Sequence, residues 1–387
     1  MSSHPQPVPE SAPAAAGTTY AAAGVDTAAG DRAVELMRAS VAATMTPAVV
    51  GEVGGFAGLV DVSALRDYRR PLLATSTDGV GTKVAIAQAL GVHDTIGQDL
   101  VGMVVDDIVV VGARPLLMTD YIACGRVVPE RIADIVRGVA TACAAVGTPL
   151  LGGETAEHPG LMEADEYDLA GAATGVVEAD RVLGPERVRP GDVLIALASS
   201  GLHSNGYSLV RRVIADAGWG LERKVPEFSR TLGEELLEPT RLYTKACLAM
   251  IGALGSEAAP SPIHALSHVT GGGLAANLAR VLPAGTIADV DRSGWVIPPV
   301  FDLVRHLGSV PWEDLEGTLN LGVGMVAVVA PDSAEAVLRV AQGSEMSAWV
   351  LGGVHEAQVY EPQGRVVAGT KGVDGGAVDV FGSYRTR

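Results

Sequence analysis

The stretch Thr75-Ser76-Thr77-Asp78-Gly79-Val80-Gly81-Thr82-Lys83 follows an extended apolar lead-in, Leu72-Leu73-Ala74, and delivers an acid, two glycines and a lysine to one loop. That combination suits a metal-bound polyphosphate. Gly79 and Gly81 let backbone N–H groups approach an anion with no Cβ in the way, Asp78 can ligate a hard divalent cation, and Lys83 can neutralise oxygens. The run is not a Walker A loop, because no G-x-x-x-x-G-K-[ST] occurs in the chain. D-G-x-G-x-K alone is a weak signal, since glycine-rich turns beside an Asp are more often only turns. Its neighbours decide its meaning.

Upstream, residues 31–44 carry a helical pattern with Ala33, Leu36, Met37 and Val41 on one face, and Pro47 ends it. GEVGGFAG, residues 51–58, reads as a flexible loop, either a plain connector or one that approaches a ligand. Downstream, 83–90 reads as a short helix and 94–111 as a long one, apolar nearly all round. Asp106 and Asp107 interrupt it. Carboxylates on a buried helix are expensive unless paired, hydrogen-bonded or metal-bound, so the pair points to a metal or nucleotide in preference to the alternative, a helix with one solvated edge. Asp99, seven and eight residues earlier, shares their side of the helix.

A buried strand over 115–124, an amphipathic helix over 129–146 and a strand over 149–151 follow. The last runs into Gly152-Gly153-Glu154-Thr155-Ala156-Glu157, a second strand that ends in glycines and an acid. A strand over 168–177 leads to a turn at 188–192 between two domains. The second half opens with a strand over 193–198, the loop Ser199-Ser200-Gly201-Leu202-His203-Ser204-Asn205-Gly206-Tyr207-Ser208, and a helix over 209–217 carrying Arg211 and Arg212.

After a helix near 240–254 and a strand over 263–269, Thr270-Gly271-Gly272-Gly273 opens a helix through residue 282. Such a junction offers N–H donors and the positive end of a helix dipole to a phosphate, while a glycine-rich connection for close packing explains it equally. His264 and His268 are not a metal pair, because in a strand they stand about 13 Å apart. Helices over 300–307 and 333–340 and strands over 319–329 and 348–354 complete an α/β (α+β) pattern with no solenoid repeat.

With 387 residues the chain accommodates two domains. Its 48 glycines and 4% aromatics require cores of Ala, Val, Leu and Ile with many tight turns. A net charge of −17 argues against nucleic acid or an anionic membrane as partner and leaves room for a small phosphorylated substrate held by local Lys and Arg. Cys124, Cys143 and Cys247 are odd in number with no C-x-x-C, so neither a disulfide framework nor a zinc ribbon is indicated and a reducing cytoplasm is the simplest setting. The N-terminus has no signal-peptide pattern, and no apolar run approaches the roughly 20 residues of a membrane span. Residues 1–18, rich in Pro, Ala and Ser, read as a disordered tail and 369–387 as a loose one.

Tyr20…GVD, STDGVGTK, DTIGQDLVGMVVDDIVVVGARPL, LLGGETAEHPG, SSGLHSNGYSLVRR and HVTGGG, in that order, resemble phosphoribosylformylglycinamidine cyclo-ligase, the aminoimidazole ribonucleotide synthetase of purine biosynthesis. The resemblance runs from Tyr20 to Gly353. It implies an ATP-dependent ligase that closes formylglycinamidine ribonucleotide to 5-aminoimidazole ribonucleotide by phosphorylating the formyl amide oxygen, with Mg²⁺ and, in some members, K⁺. It also implies a cytoplasmic homodimer whose N-terminal domains, here 19–187, pair into an eight-stranded β-barrel, with C-terminal α+β domains, here 188–368, outside.

Carried over by position, Thr77, Asp78, Gly79, Gly81, Lys83, Asp107, Gly152, Gly153 and Glu154 would bind the nucleotide, with Asp78, Asp99, Asp107 and Glu154 as metal ligands. His203, Asn205 and Lys83 would be catalytic, with stabilisation of their own loop the alternative for His203 and Asn205. His203, Asn205, Thr270, Gly271, Gly272 and Gly273 would bind substrate, with Arg211 or Arg212 assisting at its phosphate. Three positions depart from the family's pattern. Asp106 stands for a usual Asn and puts a further charge beside the metal acids, His158 stands for Met, and Gly317 stands for Arg in an R-T-F-N run. Thiamine-monophosphate kinase, a sister enzyme, and a catalytically silent nucleotide-binding relative are the competing readings.

Overall fold

The computed structural model describes residues 24–51, 54–255, 261–369 and 375–386; the tail expected over 1–18 and Tyr20 lie outside them. Alternation in Pro71–Gly79 turns Ala74, Ser76 and Asp78 to the more buried side of a strand while Leu73, Thr75 and Thr77 stay exposed. Asp78 and Gly79 therefore end a strand rather than sit in a loop. In the N-terminal half α1 (Thr27–Ala42) precedes a small hairpin of β1 (Val49–Val50) and β2 (Leu59–Val60). Then come β3 (Pro71–Gly79), α2 (Val84–Leu90), α3 (Thr95–Val109), β4 (Arg114–Cys124), α4 (Pro129–Val146), β5 (Leu150–Glu157) and β6 (Tyr167–Glu178).

These strands form a four-stranded sheet in the order β3-β6-β4-β5, antiparallel except for the parallel pair β4 and β5. Ile96, Leu100, Val104 and Ile108 of α3 and Ile132, Ile135 and Val139 of α4 are buried in the core against it. Leu72, Leu73 and Tyr121 of its strands remain exposed.

The C-terminal half contains β7 (Val193–Ala198), α5 (Tyr207–Asp216), β8 (Lys224–Val225), β9 (Arg230–Thr231), α6 (Leu232–Leu236), α7 (Thr244–Leu254), β10 (Ile263–His268), α8 (Gly273–Ala279) and β11 (Thr286–Asp291). It continues through α9 (Pro299–Gly308), α10 (Trp312–Glu316), β12 (Val323–Val329), α11 (Ala334–Gly343), β13 (Ala348–Glu356), β14 (Arg365–Ala368) and β15 (Ala377–Phe381). Seven strands make one mixed sheet in the order β10-β12-β7-β13-β11-β15-β14. All of β12 is buried, as its unbroken apolar run Met325-Val326-Ala327-Val328-Val329 requires.

Within the stretch 369–387, expected from composition to be a loose tail, the described residues Ala377–Phe381 instead form a sheet strand. β15 lies between β11, to which it is parallel, and β14, to which it is antiparallel. Val378 and Val380 point into the core, and Asp379 is fully buried because Tyr360 Oη, Gln363 N and Gly364 N donate to its carboxylate. The alternating pattern of Ala377-Val378-Asp379-Val380-Phe381 outweighs the glycines before it.

Candidate active site

Strand β3 and helix α3 lie side by side and bring Asp78 and Asp107 close enough for their charges to interact. Burial raises the pKa of Asp78, the Gly79 N–H bonded to its Oδ1 at 2.8 Å lowers it, and the Asp107 charge raises it again, leaving it above the ordinary carboxylate value. At the end of β10, His268 Nδ1 sits 2.9 Å from Asp107 Oδ1 and, facing a carboxylate, is the donor. Burial opposes protonation of this imidazole, but the Asp107 hydrogen bond and the Asp106, Asp107 and Asp78 charges outweigh it, so its pKa is raised. His268 Nε2 is buried and has no partner among the described residues.

A pocket of about 360 Å³ opens here, lined by Thr75, Ser76, Asp107, His268, Thr270 and Arg280 among others. Thr270 brings the first residue of the glycine run to it. Asn205 reaches the same run from the other side, its Oδ1 standing 3.4 Å from where a Cβ on Gly271 would lie. Asn277 Nδ2 donates to the Gly273 carbonyl at 2.8 Å and fixes the junction.

Several residues expected at the site lie outside the lining of this pocket. Lys83 Nζ donates to Asp99 Oδ1 at 2.8 Å and to the Glu238 carbonyl at 2.7 Å, and both side chains of the pair are fully buried. Burial pulls the Lys83 pKa down, and Asp99 acts against that. Asp99 Oδ1 also accepts from Thr240 N and Oγ1, which joins the two halves, and neither Asp99 nor Lys83 lines the pocket.

Asp106 turns away from Asp107 to accept from Tyr243 N and Thr244 Oγ1 at the start of α7. Burial pushes its pKa to about 6 against those bonds. The charge expected beside the metal acids is thus directed at a helix N-terminus, where it is favoured.

His203, at φ 60°, is buried, and its Nε2 accepts the Ser200 N–H at 3.2 Å. Burial, helped by His268, Lys83 and Arg241, holds its pKa well below the ordinary value, so it is a neutral ring closing its own loop. Arg211 is exposed on α5, and Arg212 is paired at 2.7 Å with Asp216; neither lines the pocket, whereas Arg280 does. Arg280 stands seven residues after Gly273, two helical turns along, a spacing that offered a sequence signal. The Asp107–His268 pair offered none, its members being 161 residues apart.

Gly152, Gly153 and Glu154 belong to β5 itself, at the sheet edge opposite β3. They line a second cavity of about 620 Å³ with α1 and the 54–58 loop. Asp78 and Asp107 on one side and Glu154 on the other therefore do not converge. No group of three or more His, Cys, Asp or Glu suited to a metal occurs among the described residues. Asp78 and Asp107 nevertheless fit Mg²⁺, which needs only one or two carboxylates when phosphate oxygens and water complete its shell. Among the described residues each carboxylate keeps its Oδ2 uncommitted.

Residues 60–177 match the N-terminal domain, and 189–364 the C-terminal domain, of AIR synthase related protein. The phosphoribosylformylglycinamidine cyclo-ligase of Geobacillus thermodenitrificans is 46% identical over 338 residues, 87% of this chain and 95% of that protein. That of Geobacillus kaustophilus is 48% identical over 336 residues, with the same shares covered. Among solved structures, thiamine-monophosphate kinase from Stenotrophomonas maltophilia has a TM-score of 0.61 at 18% identity, covering 90% of this chain and 96% of that one. The E. coli hydrogenase maturation protein HypE has a TM-score of 0.58 at 19% identity, covering 88% and 93%. Those two share the fold. With identity this high over nearly the full length of its relatives, the chain belongs to the phosphoribosylformylglycinamidine cyclo-ligase family.

Proposed function

We propose that this enzyme closes formylglycinamidine ribonucleotide to 5-aminoimidazole ribonucleotide at the expense of ATP, releasing ADP and phosphate. The observation that carries the reading is the single pocket in which Asp107, itself close to Asp78, meets His268, Thr270 and Arg280. An acid for a metal-bound polyphosphate and a cation for a substrate phosphate then line one cavity, with Asp78 close enough to Asp107 for their charges to interact.

Closing a five-membered ring within one molecule benefits from proximity, worth up to roughly 7–11 kcal/mol. Proximity alone does not expel an amide oxygen. Transfer of the γ-phosphoryl forms an O–P bond to the formyl oxygen as the bond to ADP breaks. The amidine-side nitrogen then attacks the formyl carbon, the C–O bond breaks with phosphate leaving, and the nitrogen loses a proton. The protein's work is positioning and charge neutralisation. Asp78 and Asp107 would hold Mg²⁺, which would supply charge neutralisation at the phosphates. His268 fixes the Asp107 carboxylate, and Thr270 and Arg280 receive the ribose phosphate, with Asn205 bracing the glycine run.

The homodimer belongs to the same proposal. Leu72, Leu73 and Tyr121, exposed on the four-stranded sheet, support pairing of two such sheets into the eight-stranded barrel. Gly152, Gly153 and Glu154 line the second cavity and are assigned to the nucleotide through the family resemblance, as is the K⁺ requirement. A cytoplasmic setting is supported by three buried free cysteines; no helix among the described residues is long and apolar enough to cross a membrane. The test is to follow ADP and aminoimidazole ribonucleotide together with Mg-ATP and K⁺. Substrate-dependent ADP matched one-for-one by the imidazole is expected, and ADP release indifferent to the ribonucleotide would overturn the reading.

A further inference from the structure

Beyond residue 364, where the match to the C-terminal family domain ends, come β14, β15 and then Gly382 to Arg385. This segment returns to α10. The Tyr384 ring packs 4.6 Å from Trp312 and edge-on, 5.6 Å, to Trp295, and its hydroxyl donates to Glu316 Oε1 at 2.9 Å. Arg385 bonds to the chain beyond Trp295 through its carbonyl, which accepts from Ile297 N at 3.0 Å.

Glu316 is a buried carboxylate at the end of α10, held by three donors from separate parts of the chain. Arg292 grips it with Nε and Nη2, at 2.5 and 3.1 Å, and Arg365 Nη2 donates to Oε2 at 2.6 Å; Tyr384 supplies the third donor. Burial would raise its pKa, but these partners keep it below the ordinary value, so the group stays charged and fixed. Trp295 Nε1 pins the far end of the following segment by donating to the Leu321 carbonyl at 2.9 Å.

The segment so pinned, 316–321, is a wedge between the two loops assigned to substrate. A Cβ at Gly273 would collide with the Glu316 carbonyl oxygen, and one at Gly206 with the Leu319 side chain. Between them Asn320 accepts from Ser199 Oγ at 2.9 Å and donates to the Gly201 carbonyl at 2.9 Å, tying the wedge to the loop that carries Asn205.

We propose that the C-terminal segment is a clasp whose Tyr384, acting through Glu316, positions the glycine run and the Asn205 loop for the ribonucleotide. Tyr384 is a positioning residue; it does not line the pocket. The proposal rests on the reading that these loops receive the substrate.

The test compares Tyr384→Phe, Tyr384→Ala and a chain lacking 383–387 with the full chain, in steady-state kinetics with thermal unfolding alongside. Tyr384→Ala and the truncation should raise KM for formylglycinamidine ribonucleotide about fivefold or more and move KM for ATP by less than about twofold. Tyr384→Phe, which keeps the packing on Trp312 and loses only the hydroxyl, should fall between them and the parent. Loss confined to kcat in step with a lowered unfolding temperature would reduce the tail to scaffold and overturn the proposal. If the truncation does not fold, Tyr384→Phe decides alone: an unchanged KM refutes the clasp. Arg280→Ala separates the two layers. Unchanged ribonucleotide KM in that variant removes the substrate-seat reading and the clasp with it, whereas a raised KM there with unaffected Tyr384 variants removes the clasp only.

Discussion

Lys83 and Asp99, 2.8 Å apart and both fully buried, form an ion pair that also binds the N-terminal half to Glu238 and Thr240 of the C-terminal half. Removing one partner leaves an uncompensated buried charge. Lys83→Met and Asp99→Asn should each destabilise the protein by roughly 3–5 kcal/mol, and the double variant by less than their sum. Denaturant unfolding measures this; full stability of Lys83→Met would show that the lysine is not held in the pair.

Asp78 and Asp107 repel one another without a cation, so function and stability should oppose each other there. In EDTA at neutral pH, Asp78→Asn should unfold at a temperature equal to or above the parent's, because burial and Asp107 already raise the Asp78 pKa. Its kcat with Mg-ATP should fall by about 100-fold or more. Mg-ATP should raise the unfolding temperature of the parent and do so less for the variant. Equal protection of both would argue against Asp78 as a metal ligand.

Asp120 lies on β4 with a buried Oδ2 that has no partner among the described residues, and burial pushes its pKa up to about 7. A carboxyl whose folded pKa is raised contributes stability present below its unfolded pKa near 3.8 and lost as pH rises through about 7. Asp120→Asn should therefore be more stable than the parent at pH 8, by up to about 4 kcal/mol, with the gap closing towards pH 4. Parallel unfolding curves at the two pH values would contradict this.

Gly317 is exposed, has φ −80°, and a Cβ there would meet nothing nearer than the Glu313 carbonyl at 3.4 Å. An arginine fits without backbone change. Gly317→Arg should alter stability by less than about 0.5 kcal/mol. Because Arg280 already supplies a cation to the pocket, kcat/KM should stay within about threefold. A tenfold gain would mean that the chain lacks a charge it can use.

Where local pattern and tertiary demand agree, the sequence was sufficient. Pro129 opens α4 and the apolar face carries it to Val146, and Val193–Ala198 is read from its apolar run. It was insufficient where glycine hides a strand. β5 runs on through Gly152 and Gly153 because the parallel ladder to β4 holds it, and β15 was obscured by the glycines before it. At the site, the acids on α3 were legible as costly groups but not their directions. Asp99, Asp106 and Asp107 share a helix yet serve Lys83, the start of α7 and His268 respectively, partners fixed only by the packing of the two halves.

The most direct test of the central claim uses substrate labelled with ¹⁸O at the formyl oxygen, with the released phosphate analysed by mass. Phosphoryl transfer to that oxygen predicts one ¹⁸O in each phosphate, in step with aminoimidazole ribonucleotide, and loss of both products together in Asp107→Asn. Unlabelled phosphate accompanying full ring closure would contradict the account.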